Sequence, residues 1–155
     1  MATFRDLSKL VQAINREVAS PRATQTLANK GVDLIKDRVR QGRGVNDEQA
    51  ERPRRNRLKP LAPSTVAAKA RKGQPTASIA TATGQMLAAL RGRGRRGFFE
   101  IDVDTSSREE GRRTNKEVQE FYSQDRPWLA LTGREGDEIA KIVRRKVNEL
   151  VKRFL

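Results

Sequence analysis

Three carboxylates, Glu100, Asp102 and Asp104, fall at every second position of the stretch FFEIDVDT. In an extended chain, alternate side chains point to opposite faces. The acids therefore share one face, and Phe99, Ile101 and Val103 share the other. Carboxylates gathered in this way could ligate Mg²⁺ for phosphodiester chemistry. A nuclease also needs an activating group, and no E-x-K follows on a second strand. The spacing fits better an acidic solvent face, or a landing surface for arginines of a neighbouring chain.

The run GRGRRG from Gly92 to Gly97 matches the glycine spacing of dinucleotide sites. That chemistry requires a strand before the glycines and a helix after them, so that the pyrophosphate meets a helix N-terminus. Here the order is reversed, and a flexible basic connector over 92–97 is expected. The chain has no His and no Cys. It therefore lacks the usual general base, disulfides, thiolate metal ligands and a cysteine nucleophile. It also has no G-x-S-x-G and no phosphate-cradling G-x-x-x-x-G-K-[ST]. No catalytic, metal or cofactor residue is assigned, and the chain is read as not an enzyme.

What remains is charge. Arg40, Arg43, Arg52, Arg54, Arg55 and Arg57 form one cluster, and Arg91, Arg93, Arg95 and Arg96 a second. Such clusters neutralise phosphates without reading sequence, or they dock on an acidic protein. Binders of single strands usually interleave aromatics for stacking, and neither cluster holds one. Arg52, Arg54, Arg55, Arg57, Arg93, Arg95 and Arg96 are therefore candidates for contact with an acidic partner or with DNA.

The elements that position these groups follow from periodicity. Phe4, Leu7, Leu10, Val11, Ile14 and Val18 fall on one third of a helical wheel, and Ser20-Pro21 ends that helix. A membrane-surface role for this segment is weakened by Asp6 and Glu17. Ser20 can cap, and Pro21 open, a second helix whose stripe Gly31 interrupts. The two are expected to form a helical hairpin. Residues 42–63 hold no period and read as a long Arg-rich loop or arm. A short Ala-rich helix stops at Gly73. A further helix, capped by Thr83 and closed by Gly92, carries Met86, Leu87 and Leu90.

The stretch 98–104 is the clearest strand, and Thr114 with Glu117 has capping-box spacing. Thr132 and Glu135 repeat that box at the head of the best-marked helix. Its Ile139, Ile142, Val143, Val147, Leu150, Val151 and Phe154 occupy one side, and Lys141, Arg144, Arg145 and Lys152 the other. The expected architecture is one α+β domain over 1–155. A small antiparallel sheet is packed by the N-terminal hairpin and by the C-terminal amphipathic helix, which lies on the strand's apolar face.

Composition sets limits on function. The 155 residues carry 33 Lys+Arg against 19 Asp+Glu, a net charge of +14, with 35% apolar and 34% charged residues. That is a thin core with arms that need partners. No apolar run approaches the roughly 20 residues of a membrane span, and no signal peptide is evident. A soluble intracellular protein, with no membrane partner, is the expectation.

Three stretches, LKPLAPSTVAAKARKG, TATGQMLAAL and NKEVQEFYSQDRPWLALTGREGDEI, resemble in type, order and spacing the phage tail-completion and virion-morphogenesis proteins. In that family a Pro-Leu-Ser/Ala-Pro start to a short helix precedes a T-G-x-[ML] helix, a strand, and an R-P-[FW]-L-x-L-[ST] turn into the last helix. Where the family often carries an aromatic-His-Gly element, this chain has EFYSQD. The resemblance covers roughly residues 58 to 140. It implies a non-enzymatic virion subunit of the neck, made in the host cytoplasm. Such a subunit completes or terminates the tail and joins it to the head connector. It implies a ring of six or twelve copies, with portal or tail-tube proteins as partners and passive contact with DNA in the channel. The alternative is a basic, sequence-nonspecific DNA-binding accessory protein. Trp128, the only Trp, closes the core beneath the last helix, or with Arg126 lines a subunit contact. Glu100, Asp102 and Asp104 are the other interface candidates.

Overall fold

The computed structural model describes residues 3–41, 43, 61–73, 85–104, 114, 116–117 and 129–155. Helix α1 spans Phe4–Glu17 and α2 spans Pro21–Arg40. Thr3 and Asp6 close a capping box on α1, and Ser20 caps α2 with Pro21 as its first residue. Helix α3 (Pro63–Arg71) stops before Gly73, and the four-residue α4 (Gln85–Ala88) leads into strand β1 (Leu90–Arg95). Strand β2 (Phe98–Val103) returns antiparallel, and α5 (Gly133–Phe154) follows. The class is α+β, as expected.

The hairpin turns at Arg96-Gly97, where Gly97 takes φ +84, a region that favours glycine. Gly97 also donates its N–H to the Ala19 carbonyl at 2.9 Å, tying the turn to the α1–α2 junction. Residues 92–97 are thus not a flexible connector. Positions 92–95 complete a strand in which Leu90, Gly92 and Gly94 face inward and Arg91, Arg93 and Arg95 face outward. Nor does a helix run to Gly92, because Leu90 already pairs with Val103 in the sheet.

Glycine lets α2 lie almost on the backbone of β1. A Cβ at Gly92 would stand 2.8 Å from Ala28, and one at Gly94 would lie 2.6 Å from the Pro21 carbonyl oxygen. Gln25 uses this proximity. Its Nε2 donates to the Gly92 carbonyl at 2.7 Å, and its Oε1 accepts the Gly94 N–H at 2.8 Å. The side-chain amide thereby fills two positions on the strand edge opposite β2, which would otherwise be open to another chain. Thr24 adds a bond from Oγ1 to the Arg95 carbonyl at 2.7 Å.

The main core lies between α2 and the inner face of the hairpin: Val32, Ile35, Val39, Leu87, Ala89, Leu90 and Val103, flanked by Ile101, Leu129 and Leu131. Each large member buried this way contributes about 1.5–3 kcal/mol. Gly31 does not interrupt α2. It is buried inside the helix, where Ile101 packs over it.

Two expectations about packing are corrected. Helices α1 and α2 do not pair as a hairpin, and α5 is not the main cover of the sheet. Helix α2 takes the sheet, with its Pro21–Ala28 stretch seated directly on Gly92 and Gly94. Helix α1 instead lies along α5, with Leu10, Ala13 and Leu150 buried between them and Ile14, Val18, Val151 and Phe154 around.

Candidate assembly surfaces

At the head of α5, Thr132 and Glu135 form the capping box the sequence marks. The Glu135 carboxylate accepts the Thr132 N–H at 2.9 Å, and Thr132 Oγ1 accepts the Glu135 N–H at 3.2 Å. Arg38, from the last turn of α2, reaches the same site. Its Nη1 donates to Glu135 Oε2 at 2.7 Å and its Nη2 to the Ala130 carbonyl at 2.8 Å. The Arg38 side chain is 2% exposed and that of Glu135 11%. Residues Leu129 to Leu131 are therefore clamped between core and cap. Thr114 and Glu117 also exchange capping-box bonds, at 2.6 and 3.2 Å.

The acidic face of β2 forms as the alternation predicts, but its partners lie within the chain. Arg95 Nε is 3.7 Å from Glu100, and Arg91 Nη2 is 3.5 Å from Asp104. Arg93 sits opposite Glu100 in the register, and Asp102 accepts the Val103 N–H at 2.7 Å. The hairpin's outer surface is thus a ladder of alternating sign. Arginines of a neighbouring chain would have to displace those of β1. Among the described residues, no group of three acids could hold a metal ion.

Two uncovered regions complete the picture. On α1, Phe4 is 88% exposed, with Leu7 at 47% and Val11 at 56%. Their spacing of three and four places them along one line of the helix, beside the Leu10 and Ala13 contact with α5. Val18 falls about 20° from Val11 on the same wheel and leads that line into a groove. The groove, about 250 Å³, is lined by Val18, Ala23, Leu27, Ile142 and Val143 together with the polar Glu17, Thr26 and Lys146. Glu17 ties the two helices together there, 3.1 Å from Lys146 and 3.3 Å from Arg153. The hydrogen bond from Lys146 holds the Glu17 carboxyl below the ordinary glutamate range, with Arg16 and Arg153 adding to the effect.

The second region is the outer side of α5, where Lys141, Arg144, Arg145 and Lys152 are all exposed. Arg126, Trp128, Arg52, Arg54, Arg55 and Arg57 lie outside the described residues. Arg93, Arg95 and Arg96 lie on the hairpin and its turn. The roles of Arg38, Gln25 and Glu17 were not legible. Each acts on an element distant in sequence, and local spacing carries no sign of that. The exposed line on α1 was not legible either, since Phe4, Leu7 and Val11 fall within the same apolar stripe as Leu10 and Ile14, which pack on α5.

Neither family models nor curated proteins nor solved structures match the chain. Among the described residues, no helix is long and apolar enough to cross a membrane.

Proposed function

We propose that the chain is a structural subunit of a bacteriophage neck. In this reading it completes or terminates the tail and joins it to the head connector, in a ring of six or twelve copies around the DNA channel. Portal or tail-tube proteins are its further partners, and the role is not enzymatic. The observation that carries the proposal is the uncovered apolar line Phe4–Leu7–Val11 running toward the α1–α2–α5 groove. A contiguous exposed apolar strip on a chain of net charge +14 is what a protein surface awaiting a neighbour looks like. An interface of standard size, about 1,200–2,000 Å², would cover it.

Two further points support the reading. The three ordered motifs resemble the tail-completion family, and the third of them runs directly into the clamped head of α5. The alternative, a DNA-binding accessory protein acting through the arginine clusters, loses part of its basis in the hairpin. There Arg91 and Arg95 are already matched by Asp104 and Glu100.

The test is mass photometry of the full chain, alone and mixed with the connector or tail-tube proteins of the same phage. Closed species of six or twelve copies are expected, and Phe4→Asp/Val11→Asp should abolish them while leaving the circular dichroism spectrum and melting temperature intact. Monomers of the wild-type chain in every mixture would overturn the proposal.

A further inference from the structure

Helix α5 carries a cationic sector that nothing within the described protein uses. At about 100° per residue, Lys141, Arg144, Arg145, Asn148 and Lys152 fall within an arc of roughly 100°, on the side away from Ile139 and Leu150. All five are exposed. From Lys141 to Lys152 no carboxylate falls inside that arc. Glu149 lies to one side and is paired with Lys146 at 3.8 Å. None of the four cations makes an ion pair with a described residue, whereas Lys146 and Arg153, on the inner side of the same helix, are engaged by Glu17.

A helix C-terminus favours positive charge, but only over the last turn. Lys141, Arg144 and Arg145 lie more than two turns before the end of α5 and owe nothing to that effect. The sector is also straight and rigid. The eleven helical steps from Lys141 to Lys152 extend about 16 Å, so the charges are held in one line without the ordering cost a loop would bear.

We infer that this sector of α5 is a binding surface for the phosphate backbone of duplex nucleic acid. The choice of partner follows from the composition of the arc. It has no apolar or aromatic side chain to anchor a protein interface, where lysine is depleted and buried aromatics concentrate the energy. It has no ring on which an unpaired base could stack, as single-strand binders require. It offers only charge at fixed spacing, and that is sufficient for backbone binding through counterion release. The hairpin offers less, because two of its four arginines, Arg91 and Arg95, are already paired with Asp104 and Glu100. The inference rests on the neck reading only for where duplex would be met, in the channel of a ring. Binding by the free chain tests the surface, and ring formation tests the neck, so either can fail alone.

The experiment is fluorescence anisotropy of the full chain with a labelled mixed-sequence duplex, over about 50 to 300 mM salt. Four phosphates neutralised, with their counterions released, contribute about 3.6 to the slope of log affinity against log salt. K141Q/R144Q/R145Q/K152Q should lose about that much slope and roughly a hundredfold or more in affinity, with an unchanged circular dichroism spectrum. R5Q/K9Q/K30Q/R71Q, which removes four exposed cations scattered over α1, α2 and α3, should keep most of the slope. Equal losses in the two variants would show that net charge alone is read, and would overturn the inference. So would absence of duplex binding at the lowest salt, or tighter binding to poly-glutamate or to oligo(dT) than to the duplex.

Discussion

Arg38 and Glu135 are 97 positions apart in the chain and 2.7 Å apart in space, with the arginine almost wholly buried. The contact joins the end of α2 to the start of α5. The same Glu135 oxygen accepts the Thr132 N–H, so one carboxylate both caps a helix and anchors a guanidinium. Arg38 in turn holds the Ala130 carbonyl, which fixes the approach to the cap.

Removing one partner leaves the other charge buried without its counterion, which costs about 3–5 kcal/mol. Arg38→Met should destabilise the protein by that order in urea unfolding. Arg38→Met/Glu135→Leu should be more stable than the sum of the single losses predicts, because no buried charge is left uncompensated. Additive losses would mean that the pair is not coupled.

Substitution of the strand glycines should follow their surroundings. The Cβ of Gly94→Ala would meet fixed backbone, 2.5 Å from Gln25 Cα and 2.6 Å from the Pro21 oxygen. Separating α2 from β1 should cost about 1–3 kcal/mol or more. Gly31→Ala meets the tip of the Ile101 side chain at 2.5 Å, which can turn aside, and gains about 1 kcal/mol in helix propensity. Thermal melts should therefore rank Gly94→Ala well below Gly31→Ala, and the reverse order would refute close α2–β1 packing.

Acid should loosen the α1–α5 contact. The folded-state pKa of Glu17 is depressed, chiefly by the hydrogen bond from Lys146. Its contribution to stability is therefore complete above the ordinary glutamate range and is lost as pH falls through the lower, folded value. Asp6 acts in the same direction, its carboxyl lowered by the hydrogen bonds from Thr3. The fall in melting temperature between about pH 6 and about pH 3 should be smaller for Glu17→Gln than for wild type. Identical pH profiles would remove Glu17 from the contact.

These contacts show which parts of the structure a sequence displays. Helix ends are legible because their chemistry is local: Ser20-Pro21 and Thr132-x-x-Glu135 sit where their spacing puts them. Strand β2 is legible because Phe99, Ile101 and Val103 alternate with acids. Strand β1 is not, because two of its three inward positions are glycine and carry no hydrophobic signal. What makes it a strand is β2 on one edge and the Gln25 amide on the other. The pairing of α1 with α5 is hidden for a similar reason. The α1 stripe declares an apolar partner without naming it, and its neighbour in sequence, α2, is already committed to the glycines of β1.

The neck reading meets its most direct test in electron microscopy of particles from a phage lacking the coding sequence for this chain. Separate heads and tails are expected, rejoined into infectious particles when the wild-type chain is supplied in trans but not when Phe4→Asp/Val11→Asp is supplied. Fully joined, infectious particles in the absence of the chain would contradict it.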